Sequence, residues 1–292
     1  MLSSEILTQF RDRADEIYVT PLSFKELNEY YKDPNITWKN YIVSGGMPRL
    51  IELESFEEKS KYLKTLIEET YLKDIIERKE LKSKDEILST LLNFISSSIG
   101  SLTNSLKLEK RFRSEKKISI SHSTINNYLS YFEEAYLIKK SKRYDIKGNK
   151  YFSTITKYYF TDIGLRNAML NFRQIEEKHI MENIIYNELI RKGFNVDIGV
   201  IEHNASEDNK KIRKQLEIDF VINKENKKYY IQSAFSIPNK DKLIQEIKPL
   251  TKINDSFQKI IILKEDIVPR YDEFGIYYIG IKDFLLLEDL FF

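Results

Sequence analysis

Apolar residues recur along this chain in three rhythms: every three to four positions, every second position, and in short unbroken runs. Each rhythm predicts a different element. Over residues 1–80 the helical rhythm dominates. Ser3 precedes Ile6, Leu7 and Phe10, and a short extended run, Ile17-Tyr18-Val19, leads into Pro21-Leu22-Ser23-Phe24. Ser23 with Glu26 three residues on has the spacing of a capping box, so a helix is expected to start there. The Gly45-Gly46-Met47-Pro48 cluster breaks the chain, read as a backbone turn. Beyond it, Tyr62, Leu66, Glu69, Tyr71, Leu72, Ile75 and Ile76 mark a long amphipathic helix.

From 85 to 160 the plan changes. Three helical patterns, at about 85–99, 101–113 and 122–137, precede two alternating stretches, 137–144 and 150–159, joined by the turn residues 145–149. Helix, helix, helix and a two-stranded ribbon is the order of a winged helix-turn-helix. Ser121 and Ser123 both suit the N-cap of the third helix. Ile125, Leu129, Phe132 and Tyr136 share one face and are assigned to the core, leaving Asn126, Asn127, Ser130 and Tyr131 outside. From 165 onward, a helix at about 175–192 is followed by strands at 195–202, 216–222, 228–235 and 259–263. A helix near 240–252 separates the last two, and a final strand and helix occupy 276–292. Such alternation predicts a partly parallel sheet. The expected fold is therefore mixed α and β in three modules, 1–84, 85–164 and 165–292.

Composition narrows the chemistry. With 41% hydrophobic residues and 47 Lys+Arg against 45 Asp+Glu, the chain has the means for real cores and none of the charge excess of a disordered one. The absence of cysteine excludes disulfides, thiolate zinc sites and cysteine nucleophiles. No apolar run approaches the ~18 residues of a membrane span, and the N-terminus opens no signal peptide, so a cytoplasmic protein without a membrane partner is expected. No glycine precedes a lysine, which removes the phosphate loop, and no spaced glycine triplet marks a dinucleotide site. His122, His179 and His203 are too scattered for a local metal motif.

The landmarks, taken in order, carry a resemblance. They run Leu2-Ser3-Ser4-Glu5, Arg13, Pro21-Leu22-Ser23-Phe24-x-Glu26, Gly45-Gly46-x-Pro48 and Tyr71-Leu72-Lys73-Asp74-Ile75. They continue with Ser123-Thr124-Ile125-x-x-Tyr128-Leu129, Lys157-Tyr158-Tyr159-Phe160-x-Asp162-x-Gly164-Leu165, Glu182-Asn183-x-x-Tyr186-x-Glu188-Leu189, Glu217-Ile218-Asp219-Phe220 and Tyr230-Ile231-Gln232. Together they resemble the prokaryotic AAA+-type ATP-binding proteins, related to archaeal ATPases, whose C-terminal half is a domain of unknown function. The resemblance implies the end of an AAA+ core with its helical lid over 1–84, a winged helix over 85–164 and a restriction-endonuclease-like domain over 165–292. It places Arg13 at a conserved arginine of the nucleotide-binding module. ATP and Mg²⁺ belong to the full-length family; this chain, lacking the phosphate loop, is expected to bind no cofactor alone and to hydrolyse no ATP.

Two groups of residues carry candidate function. Residues 101–160 hold 13 Lys/Arg against five acids inside an otherwise acidic chain, the footprint expected for a phosphate backbone. Recognition-helix geometry nominates His122, Ser123, Asn126 and Asn127 for base edges, and Lys142, Arg143, Lys147 and Lys150 on the wing for phosphates. DNA is thus the expected partner, with ATPase subunits or self-association the alternative if the winged helix packs against protein. Separately, Glu182 on a helix, Asp219 on a strand and Gln232 on the next follow the order of a restriction-endonuclease-like site, where such residues gather Mg²⁺. Glu182 and Asp219 are the candidate metal ligands. The position two after Gln232, where that site carries lysine, is Ala234. The nuclease site is therefore expected to be degenerate and its fold kept as a scaffold, unless a lysine from elsewhere, Lys228 or Lys240 being nearest along the chain, replaces the missing ammonium.

Overall fold

The computed structural model describes residues 17–81, 83–207, 210–235 and 240–289; Arg13 and the Leu2–Glu5 segment lie outside them. The chain forms two compact units. The first takes in the N-terminal residues through Lys140 and then Tyr158–Glu176; the second comprises Ser141–Lys157 and Glu177 onward. In this division the 145–149 turn and its flanks, Ser141–Lys157, fall in the second unit.

The first unit is helical. Ser23 caps the helix Phe24–Tyr31 with the expected reciprocal box: its Oγ accepts from the Glu26 amide, and the Glu26 carboxylate accepts from the Ser23 amide at 2.7 Å. Ser55 and Glu58 repeat the device at the head of the helix Phe56–Thr65. That helix continues through a wide, π-type stretch, Leu66–Leu72, into Lys73–Arg78. The wide turn alters the stripe. The buried positions are Leu63, Ile67, Leu72 and Ile75, with a gap of five where the π turn lies, while the expected Tyr62 and Leu66 are only half-buried. Helices Asp85–Ser96, Ser105–Arg111 (extended by a second π turn, Phe112–Lys116) and His122–Glu134 follow near the expected places. Ile125, Leu129 and Phe132 are core as read, and Tyr128 joins them. Tyr136 does not: it turns in the left-handed region at φ 55° and lies half-buried, its ring 5.2 Å from that of Tyr18.

The second unit is built on a mixed sheet of eight strands in the order β2-β1-β3-β4-β5-β6-β8-β7. The strands are β1 Ile138–Asp145, β2 Lys150–Phe160, β3 Asn195–Glu207, β4 Lys210–Lys224, β5 Lys227–Ala234, β6 Gln258–Leu263, β7 Arg270–Tyr271 and β8 Ile276–Gly280. Three pairings are parallel, β1 with β3, β5 with β6 and β6 with β8, as the alternation of strands and helices predicts. The β3–β4 hairpin is longer than expected. Residues 203–207 and 210–213 lack the apolar alternation that marks a strand, and pairing along a neighbour recruits them. The register shifts between Asp197 and Gly199, where a side chain on Gly199 would strike Val221 and Ile218. Ile218, Val221, Tyr230, Leu250, Ile261 and Ile276 contribute to the apolar core of this unit.

Candidate functional site

Three places carry the residues singled out by sequence. The first is a charged centre in the second unit. The helix Glu177–Arg191 carries Glu182; β4 carries Glu217 and Asp219 two residues apart, hence on one face; β5 carries Gln232. The ammonium of the centre comes from β2. Lys157 Nζ donates to Glu182 Oε1 at 2.8 Å and stands 2.8 Å from Glu217 Oε1. Asp219 Oδ2 accepts from the Ser233 amide at 2.7 Å, and the Asp219 amide points at Gln232 Oε1 at 3.4 Å. The expected trio of Glu182, Asp219 and Gln232 is thus brought together. The expected source of a replacement lysine is corrected. Lys228 lies over the rings of Tyr144, Tyr230 and Phe257 instead, and the side chain of Lys240 lies outside those described.

Most of the centre is buried: Lys157 is 3% exposed, Glu182 5%, and Asp219 and Gln232 9% each, while the Glu217 side chain is 32% exposed. Burial pulls the Lys157 ammonium down, but Glu182, Asp219 and Glu217 together outweigh it and hold the lysine above its ordinary range. Asp219 is pushed up to about 8, first by burial and then by the neighbouring Glu182 charge, against the pull of Lys157. The oxygen donors are of the hard type that suits Mg²⁺. Their arrangement does not fit the ion: Lys157 already holds the Glu182 oxygen. Among the described residues no group of three or more His, Asp or Glu side chains is placed to hold a metal.

The second place is a buried clamp in the first unit. Asp162 Oδ2 accepts from the Gly46 amide at 2.6 Å, and Oδ1 from the Leu165 amide at 3.0 Å, capping the helix Ile163–Met169. The Leu22 amide in turn donates to the Gly46 carbonyl at 2.8 Å. A side chain on Gly46 would collide with the Leu22 carbonyl, and one on Gly164 with the Ser44 carbonyl. Three of the quoted landmarks, around Leu22, Gly45-Gly46 and Asp162-x-Gly164, therefore meet at one backbone junction, and the glycines are there for close approach. Next to it, fully buried Arg166 donates from Nε to the Ser96 carbonyl at 2.9 Å and from Nη1 to Asn167 Oδ1 at 3.1 Å and to the Gln174 carbonyl. Asn167 Nδ2 donates to the carbonyls of Ile42 at 2.8 Å and Val43 at 2.9 Å. Burial pushes Asp162 up to about 6 in spite of its backbone donors, and lowers Arg166 to about 10.

The third place is the basic surface. His122, Ser123, Asn126 and Asn127 are all exposed on the 122–134 helix, as its periodicity requires. His122 Nδ1 lies 3.4 Å from Glu109 Oε2, and the same carboxylate pairs with Arg113. Lys107, Lys110, Arg113, Lys116 and Lys117 are exposed on the preceding helix and its wide last turn. Lys142, Lys147 and Lys150 are exposed on the hairpin in the second unit. Arg143 departs from expectation. It is 6% exposed, with Nη2 donating to Gln215 Oε1 at 2.8 Å and its guanidinium 5.0 Å from the Phe152 ring. The reason is that β1 pairs with β3, with Arg143 opposite Ile198, so alternate β1 side chains are covered and Arg143 cannot face a phosphate.

These features define a mixed α/β protein with a helical unit that carries an exposed basic face and a sheet unit that carries a carboxylate–lysine centre. Residues 35–176 match a family described as Domain of unknown function (DUF8612). The chain is 31% identical over 268 residues to an uncharacterized protein of Haemophilus influenzae, covering 90% of this chain and 62% of that protein. It is 29% identical over 270 residues to uncharacterized protein MJ1544 of Methanocaldococcus jannaschii, covering 86% and 56%. The chain thus spans about three fifths of the length of these curated relatives. Among solved structures, protein VC1899 from Vibrio cholerae is similar at 13% identity and a TM-score of 0.27, covering 80% of this chain and 55% of that one. Among the described residues, no helix is long and apolar enough to cross a membrane.

Proposed function

We propose that this chain is the nucleic-acid-binding accessory portion of an AAA+-type ATP-binding protein and performs no catalysis alone. The observation that carries the reading is the basic face of the first unit. Exposed His122, Ser123, Asn126 and Asn127 head a helix preceded by five exposed cations, a combination of base-reading and phosphate-facing groups. The greater length of the curated relatives supports the AAA+ part, since it leaves room for an ATPase core. The sheet of the second unit, with Asp219 and Gln232 on neighbouring strands and Glu182 on a helix, supports a restriction-endonuclease-like fold kept as a scaffold.

Binding is tested by duplex titration against salt. Each phosphate contact contributes about 0.9 to the slope of log affinity against log salt. Neutralising Lys110, Arg113, Lys116 and Lys117 removes up to four contacts and should shallow the slope by about 3–4. Replacing Lys142, Lys147 and Lys150 measures the hairpin's share, up to about 3. Asn126→Ala with Asn127→Ala should reduce discrimination among sequences by about 1–3 kcal/mol and leave the salt slope unchanged. Wild type that fails to bind duplex at low salt would overturn the reading in favour of docking on ATPase subunits.

A second reading, Mg²⁺-dependent phosphodiester hydrolysis at Glu182 and Asp219, is favoured by one observation: Lys157 provides the ammonium that position 234 lacks. Against it stand the burial of Glu182 and Asp219, 5% and 9% exposed, and the hold of Lys157 on the Glu182 oxygen. Plasmid incubated with the chain and Mg²⁺ or Mn²⁺ should remain supercoiled. Nicking lost in Asp219→Ala would establish the nuclease reading instead.

A further inference from the structure

The hairpin of the second unit sets aromatic rings among its lysines. We infer that this surface, carried by Tyr144, Tyr151 and Phe257 with Lys142 and Lys228, is a stacking platform for single-stranded nucleic acid, DNA or RNA. The inference rests on the nucleic-acid reading for the kind of ligand, but it concerns different residues from those of the 122–134 helix.

Side chains alternate along β1, so Lys142 and Tyr144 share one face while Arg143 between them is covered. Across the turn, the ring of Tyr151 on β2 lies 5.3 Å from that of Tyr144, tilted by 58°. Lys142 Nζ stands 5.9 Å from the centre of the Tyr151 ring. Lys228 Nζ, from β5, stands 5.8 Å from that of Tyr144 and 5.2 Å from that of Phe257. Cations and rings thus form one connected series from Lys142 to Phe257. Two of its rings are open to solvent, Tyr151 at 57% and Phe257 at 41%. Both are tied to acids beside them: Tyr151 Oη donates to Asp197 Oδ2 at 2.9 Å, and the Phe257 amide donates to Asp255 Oδ1 at 3.2 Å. A ring already held in place loses less freedom when a base stacks on it. The charge suits a phosphate backbone. Lys142, Lys147 and Lys150 are exposed, and no Asp or Glu occurs between Asp145 and Asp162. Asp145 itself is 6% exposed and accepts the Lys147 and Gly148 amides. The rings select the strand form. In a duplex the base faces are stacked on one another, whereas a single strand offers them to aromatic side chains.

The test titrates the full chain with oligothymidylate, with oligouridylate and with a duplex of mixed sequence. Wild type should bind single strands, the tighter of the two naming the strand as DNA or RNA. Tyr151→Ala and Phe257→Ala should each weaken that binding at least about fivefold and leave duplex affinity within about twofold. Tyr151→Phe, which keeps the ring and removes the hydroxyl bond to Asp197, should retain most of the affinity. Replacing Lys142, Lys147 and Lys150 by Gln should shallow the single-strand salt slope by up to about 2, at about 0.7 per phosphate. Tyr151→Trp adds an exposed indole whose fluorescence oligothymidylate should quench by stacking, against a background from Trp38, itself 8% exposed. Duplex binding without single-strand binding overturns the inference and leaves the 122–134 helix reading standing. Single-strand binding that falls with the rings, in a chain that binds no duplex, does the reverse. Equal loss of duplex and single-strand affinity in Tyr151→Ala also overturns it, as does a Tyr151→Phe protein as weak as Tyr151→Ala. An indole at position 151 that stays unquenched decides the same way, whether or not the alanine variants fold.

Discussion

The molecule buries carboxylates in two ways. In the first unit, Asp162 is enclosed, and backbone N–H groups of Gly46 and Leu165 face its two oxygens. In the second unit, Glu182 and Asp219 share a space with Lys157 and Glu217, and side-chain charge answers side-chain charge. Both arrangements offset desolvation, which penalises an unpaired buried carboxylate heavily. They differ in what they demand of the sequence. The clamp demands shape: Gly46 and Gly164 are needed because carbonyl oxygens of Leu22 and Ser44 occupy the space a side chain would take. The charged centre demands only that an ammonium arrive, from whichever strand lies near. A backbone clamp is therefore a rigid junction with no chemistry to offer. The charge-matched centre depends instead on its charges staying balanced.

The contrast makes graded predictions. The largest loss should come from Lys157→Met, because it removes the buried ammonium that Glu182 and Glu217 share, at about 3–5 kcal/mol. Urea unfolding measures it; a loss below about 1 kcal/mol would show that the centre is not neutralised by the lysine. Next is Gly164→Ala, which drives a methyl group into the Ser44 carbonyl and should destabilise by about 3 kcal/mol. The same substitution at Gly193, where the nearest neighbours are flexible Lys224 atoms 3.5 Å and beyond, meets no clash and serves as the reference, its effect confined to left-handed strain. Asp162→Asn should be milder, about 1–3 kcal/mol at neutral pH. It removes a buried charge, but its amide turns a donor toward a backbone donor.

The smallest effect is one of pH, and its sign separates the regions from an ordinary surface. Asp162 is raised to about 6 in the folded chain, above the ~4 of an unfolded carboxylate. The folded state therefore binds the extra proton between pH 4 and 6, so this group's contribution to stability falls as pH rises through that window and is lost above it. Asp219, raised to about 8, extends the fall toward neutrality. Urea midpoints at pH 4.5, 6 and 7.5 should decline for wild type. Asp162→Asn should lose the lower part of that decline, so the gap between the two proteins should be widest at pH 4.5. Parallel curves would mean that Asp162 is ionised throughout.

Much of this was legible before any coordinates. Capping residues and apolar spacing placed the Phe24–Tyr31 helix, the 122–134 helix with its outward asparagines, and the turn at 145–149, because each is settled by residues within a turn or two of one another. The same local rules read Gly45-Gly46 as a turn and put Glu182 on a helix and Asp219 and Gln232 on two consecutive strands of the C-terminal part. What local rules do not reach is partnership across the sheet. Sequence spacing nominated Lys228 and Lys240 for the ammonium, whereas strand order delivers Lys157, 25 residues before Glu182 and 62 before Asp219 in the chain. Arg143 looked like a phosphate contact because its neighbours Lys142 and Lys147 are surface cations, and only the parallel pairing of β1 with β3 buries it. The π turn at Leu66–Leu72 is of the same kind: an ideal helical period puts Leu66 on the core stripe, and one wide turn hands the place to Ile67. Helical period and capping are local balances of hydrogen bonding and burial, so they are written in adjacent residues. Which charge meets which depends on strand order and register, which only the assembled sheet sets.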